Sequence, residues 1–209
     1  MYFAGAGAGA GNTGTLVTGV GTFALGSSNS GMGNAAFGNN ALFKNTSGTL
    51  NSASGVSTLY NNTTGSYNTA VGKSALYSNI SASHNTAVGF NSIHLNTTGA
   101  DNTATGSEAI RNNTTGNYNS AFGRQALFSN TTASHNSAFG WQSLLGNTTG
   151  YNNTAIGMQS LNFTSTGRQN TGLGYNTGSG NVTGSNLTLV GYNANVFSAN
   201  LSNSTALGN

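Results

Sequence analysis

The chain has 209 residues, no Cys, no Pro and only 3% charged residues, and its polarity comes from Asn, Thr, Ser and 32 Gly. Its formal charge of +3 rests on Lys44, Lys73, Arg111, Arg124 and Arg168, which are scattered and form no basic stripe, so the composition argues against nucleic-acid binding by phosphate neutralisation. It likewise excludes a disulfide framework, and no apolar run is long enough to insert in a membrane as a spanning helix.

Residues 1–16 read as a degenerate first coil. The opening "MYFAGAGAGAG" has neither the basic residues nor the continuous apolar run of a secretory signal. Gly-Ala alternation suits a tightly packed strand, and Thr13 and Gly14 already stand in the register of the repeats beyond them. Residues 17–209 then read as one continuous repeat domain. A Gly closes each phrase of the type "NTAVG", at Gly21, Gly38, Gly55, Gly72, Gly89, Gly106, Gly123, Gly140, Gly157, Gly174, Gly191 and Gly208, always seventeen residues apart. A disordered low-complexity tract has no reason to hold such a register; repeats that stack on one another do.

Columns are counted from the Asn that opens each phrase, as in Asn68. Column three is Ala, as in Ala36, Ala70 and Ala121. Column nine supplies one set of core anchors: Leu42, Leu59, Leu76, Ile93, Ile110, Leu127, Leu144 and Leu161. Column four, mostly apolar, is expected to supply the other: Phe37, Val71, Val88, Phe122, Phe139 and Ile156. All seven charged residues fall in columns six, seven, ten, eleven, sixteen or seventeen, away from that interior. Gly, Asn, Thr and Ser break each unit twice, as turn residues do. The pieces between, such as "NTAV" and "SALY", have strand length. The expected fold is all-β: a parallel β-solenoid, or β-roll, of about twelve 17-residue coils with two short strands per coil. Coils ~4.8 Å apart make a rod on the order of 55–60 Å long.

Column twelve holds Asn45, Asn62, Asn79, Asn96, Asn113, Asn130, Asn147 and Asn181, each with Ser or Thr two residues on. Two readings stand. The side chains stack inward as an amide ladder, as in cross-β assemblies, or they face solvent as N-glycosylation sites. Column two offers a Thr array, including Thr69, Thr86 and Thr103. An ice-binding face is the remotest reading of it, because large residues such as Phe90, Trp141 and Arg124 interrupt the neighbouring columns. A longer pattern overlies the short one: "KSALYSNISASHN" at 73–85 returns as "RQALFSNTTASHN" at 124–136, three coils on.

The "NTAVG" and "NSAFG" phrases, clearest over residues 34–174, resemble the repeats of YadA-like head domains of trimeric autotransporter adhesins and of phage tail-fibre proteins. The resemblance implies a left-handed parallel β-roll and an extracellular or cell-surface, oligomeric, adhesive or fibrous role. The repeat here is longer than that family's usual one.

The inventory for chemistry is sparse. Asp101, Glu108, His84, His94 and His135 are the acids and histidines. His84 and Asp101 share column seventeen on adjacent coils and read as a solvated surface pair. One Asp cannot serve a calcium-binding β-roll, which needs one in every repeat. No Lys-Ser/Thr comes after the "GAGAGAG" stretch, so it makes no phosphate loop. The expectation is therefore no catalytic, cofactor or metal site. The leading functional expectation is a structural subunit of an extracellular filament that stacks head to tail. The rival is an adhesin or tail-fibre shaft, trimeric by the resemblance, that binds a cell surface or its glycans through Phe90, Trp141, Tyr77 and Phe128.

Overall fold

The computed structural model describes residues 1–196 and 198–208, so Phe197 and Asn209 of the expected 17–209 domain lie outside it. The fold is an all-β solenoid with a seventeen-residue repeat. Thirteen strands form one sheet in sequence order, from β1 (Tyr2–Ala4) and β2 (Thr18–Val20) to β13 (Thr205–Leu207). Each strand is three residues long and pairs in parallel with the equivalent strand one coil away, Thr69↔Thr86, Ala70↔Ala87 and Val71↔Val88. Parallel pairing needs a crossover; here the rest of the coil provides it. Residues 1–16 stack on the same sheet as a first coil one residue shorter than the rest, since Tyr2 pairs with Thr18.

Each coil carries one strand, where two were expected. The reason lies in the backbone of columns seven and nine. Ser74 and Leu76 have φ of 57° and 51°, and the same two columns are positive in coil after coil. Strand geometry requires negative φ, so "SALY" cannot be a strand. Its backbone groups are nevertheless paired between coils: Leu76 N–H donates to Ser92 C=O and Ser78 N–H to His94 C=O, both at 3.0 Å. The second wall is thus hydrogen-bonded coil to coil without being a sheet. β-Branched Ile93 and Ile110 hold φ of 48° and 51° there. Such a conformation persists only where its surroundings over-determine it.

The core is narrow. Column nine is fully buried as expected, from Leu25 through Leu42, Leu59, Leu76, Ile93, Ile110, Leu127 and Leu144 to Leu161. Opposite it stands column three: Ala36, Ala53, Ala70, Ala87, Ala104, Ala121, Ala138 and Ala155, also fully buried. Column four faces out, which corrects the expectation for six anchors. Phe37, Val71, Phe122, Phe139 and Ile156 are exposed, between 38% and 46% of their surface, and Val88 is half-buried. Side chains alternate across a strand. In a three-residue strand only the central one turns inward, and that is Ala. Size did not choose the face; the space left by the column-nine Leu did.

The junction of two successive coils demonstrates the complementarity. Where Gly178 replaces the column-nine Leu, a Cβ on it would meet Leu161 and Leu189. Leu189 stands in column three, where other coils have Ala, and is fully buried. The large and small residues have exchanged walls, and core volume is kept.

This geometry makes a paired prediction. Leu127→Ala removes buried methyls facing an Ala wall that cannot collapse, and costs about 2–3 kcal/mol. Phe122→Ser removes only an outward ring stacked on Phe139, with centroids 5.0 Å apart, and costs less than about 1 kcal/mol. Urea unfolding midpoints of the two variants check the order.

Candidate functional site

The most regular chemistry in the chain is a pair of buried amide columns. In column twelve, the Nδ2 of Asn62 donates to Oδ1 of Asn45, Asn79 to Asn62, Asn96 to Asn79, Asn113 to Asn96, Asn130 to Asn113 and Asn147 to Asn130, at 2.7–3.2 Å. Each Nδ2 also donates within its own coil, as Asn113 does to Gly116 C=O at 2.9 Å. All eight of these Asn, Asn181 included, are buried with no exposed surface. A glycan needs a free Nδ2 in solvent, so the folded coil has no room for the N-glycosylation reading, and the ladder reading holds. The exposed partners two residues on, such as Thr64, Thr98 and Thr115, do face solvent.

Two members of this ladder escape the seventeen-residue count. Asn29 enters it one residue out of register, accepting from Asn45 Nδ2 at 2.7 Å and donating to Asn12 Oδ1 at 2.9 Å. The turn absorbs the slip, so a fixed spacing of seventeen hides Asn12 and Asn29. Further along, Thr164 takes the Asn place. Asn147 Oδ1 is then buried without a partner, and Asn181 reaches Thr164 Oγ1 at 3.3 Å.

The second column is the Asn that opens each phrase. Asn68 Oδ1 accepts the backbone N–H of Asn85 at 3.0 Å, and Asn102 Oδ1 accepts both the N–H and the Nδ2 of Asn119 at 3.0 Å. Its Nδ2 ties the two columns together. Asn34 and Asn45 both donate to Gly48 C=O, at 2.8 and 2.9 Å. Much of the interior is therefore polar and, Asn147 Oδ1 and Asn162 Oδ1 apart, its amides are hydrogen-bonded, which is what their burial requires. The sequence signal is present, since this Asn recurs as strictly as the other, but on its own it only marks the phrase.

The remaining singled-out residues are dispersed over the outside. His84 stacks on Tyr67 with centroids 4.9 Å apart, and His135 on Tyr118 at 5.0 Å. His94 stacks on Tyr77 at 5.2 Å and places Nδ1 3.1 Å from Ser74 C=O. That ring belongs to a continuous stack, Phe43–Tyr60–Tyr77–His94. Tyr77 and Phe128 are half-buried, whereas Phe90 and Trp141 are exposed. Glu108 accepts from Gln125 Nε2 at 2.9 Å and lies 3.8 Å from Arg111 Nε. Asp101 is exposed, and its expected partner His84 gives its ring to Tyr67 instead. Among the described residues, no three of His, Asp and Glu gather closely enough to hold a metal ion. A shallow groove of about 380 Å³ is lined by Lys44, Asn61, Thr63, Ser78, Ile80 and Thr97. Its surface is mostly apolar, the hydroxyls of Thr63 and Thr97 donate to backbone carbonyls, and no acid or histidine lines it.

The outer face of the sheet runs continuously along the strands. It alternates hydroxyls of column two with the apolar residues of column four, and among the described residues no outward position of any strand is charged. No known protein family, curated protein sequence or solved structure matches the chain.

Proposed function

We propose that this chain is a structural rod of an extracellular fibre, and that copies extend the rod head to tail. The observation that carries this reading is the contact between successive coils. One side of a coil is complementary to the other side of the next: strand to strand along the whole rod, with Asn to Asn and Leu to Leu along most of it. A self-complementary contact related by translation does not close, and non-closing contacts make filaments. Backbone donors and acceptors directed along the axis favour a further coil over solvent. The dispersed acids and histidines supply no catalytic constellation to this reading. The extracellular setting rests on the resemblance to adhesin and tail-fibre repeats.

Electron micrographs over a rising concentration series test it. Filaments of constant width, lengthening with concentration and diffracting at ~4.8 Å along the axis, are expected. Rods of single-copy length at every concentration overturn it. The exposed Phe90 and Trp141 favour a second reading, a fibre shaft or adhesin that meets a cell surface. A closed oligomer whose mass does not change with concentration supports that reading.

A further inference from the structure

The outward face of the sheet has no partner within the chain, although Phe122, Phe139, Ile156 and Leu173 make it strongly apolar along one half. Exposed apolar surfaces of this extent mark interaction sites. Thirteen strands ~4.8 Å apart and three residues wide give a footprint of roughly 600 Å². With flanking side chains the area nears the ~800 Å² per partner of a standard interface. A partner covering it needs a long, flat, uncharged surface with the same rung spacing, and a second copy of this chain carries one.

Symmetry then selects a register. A two-fold axis lying along a strand direction turns the second rod antiparallel and sets column four against column four and column six against column six. Place that axis at β7 (Thr103–Thr105). Phe122 of one copy then meets Val88 of the other, and Phe139 meets Val71, so each of these two rings faces a smaller side chain. Among the described residues, column six carries the only cations bordering this face, Lys73 and Arg124. In this register Lys73 stands opposite Trp141 and Arg124 opposite Phe90, with both aromatics exposed in the single rod. Each cation meets a ring, and no like charges meet. Cation–π contacts of this kind are favourable once desolvated.

We propose that two copies pair laterally through this face, antiparallel, about β7. The pairing is independent of head-to-tail extension: it doubles mass per unit length, whereas extension changes length alone.

The chain has no Cys, so single-cysteine variants report the register. Thr105 lies on the axis and faces its own copy. Ser54 lies three coils away from it, and in the pair the two Ser54 are on the order of 29 Å apart. Thr105→Cys should be joined into dimers by a short bismaleimide at least about tenfold faster than Ser54→Cys or Thr149→Cys, the last standing at an exposed turn. Thr103→Cys serves as a second probe of β7, and circular dichroism confirms the fold of each variant. Sedimentation of the unmodified chain should give the mass of a pair or an even multiple. Equal crosslinking of Thr105→Cys and Ser54→Cys overturns the antiparallel register. A single rod in sedimentation together with no crosslinking at Thr105 overturns the pairing itself.

Discussion

Asn113→Ala lowers the stability of the rod by about 4 kcal/mol, far more than Thr115→Ala two residues on, in chemical unfolding of the purified chain. Asn113 Nδ2 donates to Asn96 Oδ1 and Gly116 C=O, and its Oδ1 accepts from Asn130 Nδ2. Truncation leaves Asn96 Oδ1 without a donor and one hydrogen of Asn130 Nδ2 without an acceptor, both fully buried. Each such orphan costs about 1–3 kcal/mol, and the space left adds to it. Gly116 C=O keeps a donor, because Asn102 Nδ2 also reaches it at 2.8 Å. Asn113→Asp tests the polarity of the column separately. It keeps the shape and the acceptor but removes both donors and buries a charge, so its loss should be larger at neutral pH than at low pH. A difference between Asn113→Ala and Thr115→Ala of less than about 1 kcal/mol would show that the ladder contributes little.

Gly123→Ala is expected to cost about 5 kcal/mol and to divide the rod rather than loosen it throughout. Gly123 has φ of 136°, a region open to almost no other residue. A Cβ there would lie 2.5 Å from the carbonyl oxygen of Gly140 and 2.7 Å from its carbonyl carbon, and neighbouring glycines of the column are barred in the same way. Relief requires the coils of Gly123 and Gly140 to part, which breaks the bond from Gly140 N–H to Phe122 C=O and that from Ser120 N–H to Asn136 C=O, both 2.8 Å. Stability in a stacked repeat is close to a sum of nearest-neighbour terms, so one broken contact leaves two shorter rods. Hydrogen exchange should rise around columns four to seven of the two adjoining coils while distant coils stay protected. Uniform loss of protection along the chain would show instead that the rod unfolds as one unit.

Much of the fold is legible in the sequence, for a physical reason. The column of Gly123 tolerates no side chain, so its period marks the coil without ambiguity. Column nine is legible because Leu or Ile recurs there from Leu25 to Leu161 and no polar residue interrupts it. Column four misleads because apolar character suggests burial. Phe122 and Phe139 are apolar and outward, while small Ala121 and Ala138 close the core. The missing second strand is hidden in a backbone choice: nothing in "SALY" announces that Ser74 and Leu76 take positive φ. Of the two amide columns, the one with Thr two residues on stands out because it resembles a modification signal. The other, from Asn34 to Asn170, is equally regular but carries no such signal. Asn29 is illegible in principle, since its place in the ladder depends on a turn that gives up one residue.

The two buried amide columns also share a direction. In both, the donor belongs to the later coil and the acceptor to the earlier one, as in Asn130 to Asn113 and Asn119 to Asn102. Backbone bonds between coils alternate in sense, since Thr69 N–H reaches forward to Asn85 C=O and Gly72 N–H back to Ser54 C=O. Backbone moments therefore run both ways, whereas those of the side-chain amides all add. The two columns contribute an axial dipole, positive toward the first coils and negative toward the last, in the way that aligned peptides give a helix one. Joined end to end, copies align these moments and the fibre acquires electrical polarity. Laid side by side in opposite directions, they cancel.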